Sequence, residues 1–147
     1  MNAIGAKAIF DAAMEHFSPR ILASRGWVIH SCEFPTLDLS FQEPARQELR
    51  LRLTFDDWND SPPSVDLLMP DGSFWTNLPP MNAGANIFNT SGHPRTGRPF
   101  VCMAGTREYH EHPSHLNDLW SSYKASDGYK LGNIVERLWN GWRRFWP

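Results

Sequence analysis

Apolar residues recur at three- and four-residue spacing near both ends of the chain, and at every second position between them. This pattern predicts helices flanking an antiparallel sheet. Over Met1 to Phe17, Ile9, Phe10, Ala13, Met14 and Phe17 form one apolar face, and five alanines favour the helix. Ser18-Pro19 is expected to end it, with Arg20 to Arg25 as a connector. Trp27 to Phe34 and Leu37 to Phe41 then read as strands. Glu48 to Phe55 alternates most clearly. Leu49, Leu51, Leu53 and Phe55 share one face, and Arg50, Arg52 and Thr54 share the other, which is expected to be solvated. Ser64 to Met69 is a fourth strand, closed by the turn former Pro70-Asp71-Gly72. Short links and the absence of a helical pattern between these strands predict an antiparallel meander.

Phe74 to Ala85 is rich in proline, asparagine and glycine and reads as loop. In the turn-rich run from Phe88 to Pro113, only Pro99 to Met103 suits a short extended piece. His115 to Tyr123 is expected to be a short helix capped by Ser114, with Leu116, Leu119, Trp120 and Tyr123 on one side. Ala125 to Gly128 breaks the chain. Lys130 to Phe145 is a long helix whose buried stripe is Leu131, Ile134, Val135, Leu138, Trp142 and Phe145. Trp146, next to the last residue, is expected to meet a partner. The fold class is α+β: one four-stranded antiparallel layer with an N-terminal helix and C-terminal helices packed on it, in a single domain over residues 1–147.

Composition narrows the function without naming it. A formal net charge of −2 gives no electrostatic footprint for nucleic acid. No run is long and apolar enough to span a bilayer, and the N-terminus lacks a signal-peptide pattern. Cys32 and Cys102, 70 positions apart, form no disulfide framework and no zinc pair by spacing. Free thiols in a reducing cytoplasm are expected. Cys32, inside a predicted strand, is expected in the core.

The candidate chemistry lies around Cys102. Four of the six histidines, His93, His110, His112 and His115, lie in the same run or just past it. A thiol on irregular backbone beside imidazoles suits a nucleophile held on a loop. The alternative is a small apolar filler beside Phe100, Val101 and Met103. A third option is metal: Cys102 with His110, His112 and His115 makes a chemically plausible zinc set, although Pro113 interrupts it and the spacing matches no standard site.

The order helix, four strands, cysteine loop, helices resembles the ubiquitin-conjugating enzyme fold. Phe55 to Leu68 (FDDWNDSPPSVDLL) resembles that family's third-strand exit, with Pro62 and Pro63 at its double proline. Gly92-His93-Pro94-Arg95, then Gly97 and Val101-Cys102-Met103, is similar to its His-Pro-Asn turn and hydrophobic-Cys-Leu active site. Trp120 stands where the family has a tryptophan after the active site. The departures are Arg95 in place of the asparagine, Ser121 after Trp120, and the run Tyr109-His110-Glu111-His112-Pro113. Divergence of this kind is similar to bacterial ubiquitin-conjugating-like proteins, several of which act in anti-phage conjugation systems.

The resemblance implies that Cys102 accepts a ubiquitin-like protein as a thioester from an activating-enzyme-like protein and passes it to an amine on a protein target. It implies no cofactor, nucleic acid or membrane. His110 is then the candidate for positioning or deprotonating the amine, with His112 next. His93 is expected to hold the loop through backbone hydrogen bonds. Arg95, in the place of the family's asparagine, or an amide from Asn86 or Asn89 is the candidate to support developing negative charge, with a solvated loop arginine as the plainer reading of Arg95. The competing functions are a catalytically inactive binding module of the same fold and the zinc-binding protein.

Overall fold

The computed structural model describes residues 2–82, 84 and 86–147. The expected helix start at Met1 and loop end at Ala85 lie outside these residues. Helix α1 (Ala3–Ala13) starts at Asn2, whose side chain accepts the Gly5 N–H at 2.8 Å. It runs into a 3-10 turn over Met14–Phe17, and its Phe10 is fully buried.

The expected connector is a second helix, α2 (Pro19–Arg25). Ser18-Pro19, read as a stop, serves as a start: Ser18 caps the Ile21 N–H, and Pro19 occupies the first turn, where no N–H is needed. Gly26 ends α2 in the left-handed region, at φ 68°. A Cβ there would collide with the Gln42 carbonyl oxygen, so the turn into the sheet requires glycine.

The meander follows as β1 (Trp27–Glu33), β2 (Thr36–Glu43), β3 (Arg46–Thr54) and β4 (Ser64–Leu68), antiparallel and in that spatial order. Leu39 pairs with Leu51 and Leu51 with Leu67; Leu37 pairs with Leu53 and Leu53 with Val65. These rows form the buried face. The opposite face is not simply solvated. Arg50 donates from Nε and Nη2 to the two Asp38 carboxylate oxygens at 2.8 and 2.9 Å, and Asp38 is only 7% exposed. This bidentate pair pins β2 to β3.

Cys32 is exposed instead of buried. It lies on β1, an edge strand that is buried only at its Trp27 end.

Two short strands, β5 (Phe88–Asn89) and β6 (Phe100–Val101), form a separate antiparallel ribbon. The next helix, α3 (Arg107–Glu111), lies ahead of the position expected for one. The stretch from His115 to Tyr123 holds only 3-10 turns at Pro113–His115 and Trp120–Ser122. Two local choices explain the shift. Thr106 caps α3 by accepting the Tyr109 N–H, and the His112 side chain, not Ser114, caps the next turn. Leu116 and Leu119 consequently face solvent.

Helix α4 (Leu131–Phe145) buries all six residues of its predicted stripe. Trp142 packs against Phe41 with ring centroids 5.7 Å apart. Trp146 is fully buried, edge-on to Phe88 at 5.0 Å and to Trp75 at 5.7 Å, so it is not a free partner contact. The chain end folds back because the Pro147 carbonyl accepts the Gln47 N–H at 2.7 Å and Arg46 donates to the Trp146 carbonyl. No helix among the described residues is long and apolar enough to cross a membrane.

Candidate active site

Cys102 directly follows β6, and its N–H donates to the Ile87 carbonyl at 2.6 Å. The chain then turns sharply. The buried Thr106 hydroxyl bonds the carbonyls of Met103 and Val101 at 2.8 and 3.3 Å. Gly105, at φ 99°, makes the turn, and a Cβ there would come within 3.1 Å of Tyr129. The cysteine is therefore held by strand pairing on one side and a closed turn on the other.

The thiol is half-buried, and burial pushes its pKa up. It is a protonated thiol at neutral pH and needs a base to become a nucleophile. The imidazole beside it is His115, with Nε2 3.5 Å from Sγ. His115 sits in the 3-10 turn Pro113–His115, and its ring lies flat on Tyr109, 4.0 Å between centroids and 15° between planes. The Tyr109 hydroxyl donates to Asp118 Oδ2 at 2.5 Å, and the Tyr123 hydroxyl reaches both Asp118 oxygens at 2.8 Å. These two hydroxyls hold the Asp118 carboxyl below its ordinary pKa, and their bonds to it push both phenols above theirs.

His110 has a different task. The Gly105 N–H donates to its Nε2 at 3.1 Å, so Nδ1 carries the proton and donates to the Asp118 carbonyl at 2.7 Å. Both ring nitrogens are committed to backbone, which leaves none for an incoming amine. His112 is occupied by Ser114, whose N–H its Nδ1 accepts at 3.2 Å, and its ring stacks on Phe100.

His93 does hold the loop. It is 2% exposed; its Nδ1 accepts the Arg95 N–H at 3.0 Å and its Nε2 donates to the Glu108 carbonyl at 2.9 Å. Arg95 is drawn away from an oxyanion role. Its Nε donates to Glu111 at 2.9 Å and its Nη2 to Glu108 at 3.0 Å. Asn86 and Asn89 direct their side-chain oxygens to the N–H groups of Phe88 and Ser91.

Glu108 is a buried carboxyl beside the cysteine turn. It accepts from Ser64 Oγ at 2.6 Å and the Val65 N–H at 2.7 Å as well as from Arg95. Burial still raises its pKa against those bonds. Among the described residues, no three histidines, cysteines or carboxylates are grouped to hold a metal ion. Cys102 and His93 could be picked out from sequence. The contacts of His115, Tyr109, Asp118, Tyr123 and Glu108 could not, because turns and side-chain hydrogen bonds bring them together and no spacing does.

The model of the Y4jH family, described as Y4jH-like, matches residues 85–143. The matched stretch holds the whole cysteine site and excludes the meander β1–β4. The chain is also similar to a protein of Sinorhizobium fredii (strain NBRC 101917 / NGR234) described as "Uncharacterized protein y4jH". The two are 42% identical over 41 residues, which is 28% of this chain and 20% of that protein. The similarity thus spans about a fifth of that relative's length.

Proposed function

We propose that the protein is a ubiquitin-conjugating-like transferase with a ubiquitin-conjugating-type fold. Cys102 accepts the C-terminus of a ubiquitin-like protein as a thioester and hands it to an amine on a target. The observation that carries this reading is the half-buried Cys102 thiol with His115 Nε2 at 3.5 Å. It is supported by the antiparallel meander flanked by helices, with the cysteine in the loop that follows it. The donor is an activating-enzyme-like protein carrying the modifier on its own cysteine, in a bacterial pathway such as anti-phage conjugation. A free thiol nucleophile requires a reducing compartment, and the cytoplasm is assigned on that ground.

In the loading step Cys102 Sγ attacks the donor's thioester carbonyl while His115 Nε2 takes the thiol proton. The new S–C bond forms, the donor's S–C bond breaks, and the departing thiolate recovers the proton from His115. In the discharge step an amine attacks the Cys102 thioester, loses a proton and releases Cys102 as thiolate. His115 takes the base role that His110 was expected to fill, since His110 is committed to Gly105 and Asp118.

The raised thiol pKa and the engagement of Arg95 with two glutamates favour a second reading, an inactive binding module of the same fold. A single-turnover comparison separates the two. On the transferase reading, His115→Ala slows loading of Cys102 from the charged activating protein, and wild type discharges to a primary amine. A wild type that associates with the modifier but forms no adduct supports the binding module.

A further inference from the structure

We infer that Tyr109 is a positioning residue for the Cys102–His115 pair, and that the Asp118 carboxylate anchors it. The inference rests on the assignment of His115 as the base for Cys102. His115 lies in a short 3-10 turn between Pro113 and the exposed Leu116, a poor support for a side chain that must stay within proton-transfer distance. The sequence around it supplies little packing, since Ser114, Leu116 and Asn117 are all exposed.

The support comes from below. The Tyr109 ring covers one face of His115 at 4.0 Å and nearly parallel, which limits tilting of the imidazole away from Sγ. Tyr109 is itself fixed at both ends. Its backbone N–H is capped by Thr106, in the turn that holds Cys102, and its hydroxyl ends on Asp118. Asp118 is held in turn by the Tyr123 hydroxyl, by its own N–H donating to the His115 carbonyl at 2.9 Å, and by its carbonyl accepting from His110 Nδ1. Thiol, imidazole, phenol and carboxylate therefore form one connected unit. His110 ties that unit to Gly105, three residues from the nucleophile.

This connection gives the Tyr109–Asp118 bond a use at the cysteine site as well as in the fold. The Asp118 carboxylate accepts from two phenols and needs no cation to be satisfied. Both hydroxyls converge on the one carboxylate whose chain neighbour three positions back is the proposed base. The arrangement fits a site whose base must be held still while the thiol is acylated.

The test uses the full chain and 4-nitrophenyl acetate, with no modifier or activating protein, so its failure is separate from failure of the transferase reading. The Cys32→Ser background removes the exposed second thiol, and Cys102→Ala gives the blank. Cys102 Sγ attacks the acetyl carbonyl, His115 takes the thiol proton and nitrophenolate departs, so a burst of one equivalent at neutral pH reports the pair. His115→Ala should slow the burst about 100-fold. Tyr109→Ala should slow it about tenfold, and Tyr109→Phe, which keeps the ring and loses the Asp118 bond, by less.

The deciding readout is the double variant. In a His115→Ala background, Tyr109→Ala and Tyr109→Phe should have no further effect, because the ring they position is absent. The inference is overturned by an equal loss in both backgrounds, by an unchanged burst in Tyr109→Ala, or by a burst insensitive to His115→Ala. If Tyr109→Ala does not fold, Tyr109→Phe alone decides, by the same comparison.

Discussion

The Glu108 carboxylate accepts the Val65 N–H at 2.7 Å, joining the helix after the cysteine to the last strand of the meander. The same carboxylate takes Ser64 Oγ and Arg95 Nη2, so helix α3, strand β4 and the His93-Pro94-Arg95 turn share one buried anchor.

The anchor has a defined pH signature. Burial raises the Glu108 pKa in the folded chain above its unfolded value near 4.5. For a raised acid, the stability it contributes is fully present below the unfolded pKa and is lost as pH rises through the folded pKa. Glu108→Gln removes that titration. The stability of Glu108→Gln relative to wild type should therefore improve as pH rises from about 4.5 toward neutrality. Urea titrations at pH 4, 5, 6 and 7 check this, and a gap that moves the other way would show that the hydrogen bonds outweigh burial.

Leu51 is 1% exposed and lies in the middle row of the sheet, paired with Leu39 and Leu67. Leu51→Ala should cost about 2–5 kcal/mol. Arg50→Ala, next to it on the opposite face, should cost about 1–3 kcal/mol, because it leaves Asp38 buried without its guanidinium. Asp38→Ala in the Arg50→Ala background should then be milder than Asp38→Ala alone. Midpoints of denaturant unfolding give all three comparisons.

Trp146 should matter for folding in spite of its position beside the chain end. Its ring is fully buried between Trp75 and Phe88, and Trp146→Ala should cost about 3–5 kcal/mol. A change below 0.5 kcal/mol, on the scale of surface substitutions, would remove it from the core.

The Cys102 thiol should titrate late. Burial raises its pKa, so iodoacetamide should alkylate it slowly at pH 7, with a rate still climbing beyond the ordinary thiol value near 8.5. The measurement is the pH dependence of alkylation in the Cys32→Ser background. A plateau reached below pH 8 would mean a thiolate already formed.

Period was a sound guide where one face of an element is covered. The alternation at Leu49, Leu51 and Leu53 and the stripe on α4 located the core because sheet and helix each present a repeating face. Where local chemistry competes, the pattern misled. Ser18-Pro19 suits the end of one helix and the start of the next equally well, and the structure uses both. Leu116, Leu119, Trp120 and Tyr123 resemble a helix face, but the caps at Thr106 and His112 set the turns first. His110 is nearer to Cys102 in sequence than His115, yet the turn at Pro113 brings the later histidine to the sulfur. The burial of Trp146 depends on a strand it does not follow in sequence, so no local signal carries it.

A Cys102 that carries a ubiquitin-like protein, as proposed, must hold it as a thiol-labile adduct. Wild type, Cys102→Ala and Cys32→Ala are incubated with an activating-enzyme-like protein, a ubiquitin-like protein and ATP, and intact masses are read before and after thiol reductant. Wild type and Cys32→Ala should gain the mass of one modifier less water, removed by reductant, and Cys102→Ala should gain none. An adduct on Cys102→Ala, or a wild type that never gains the mass, contradicts the proposal.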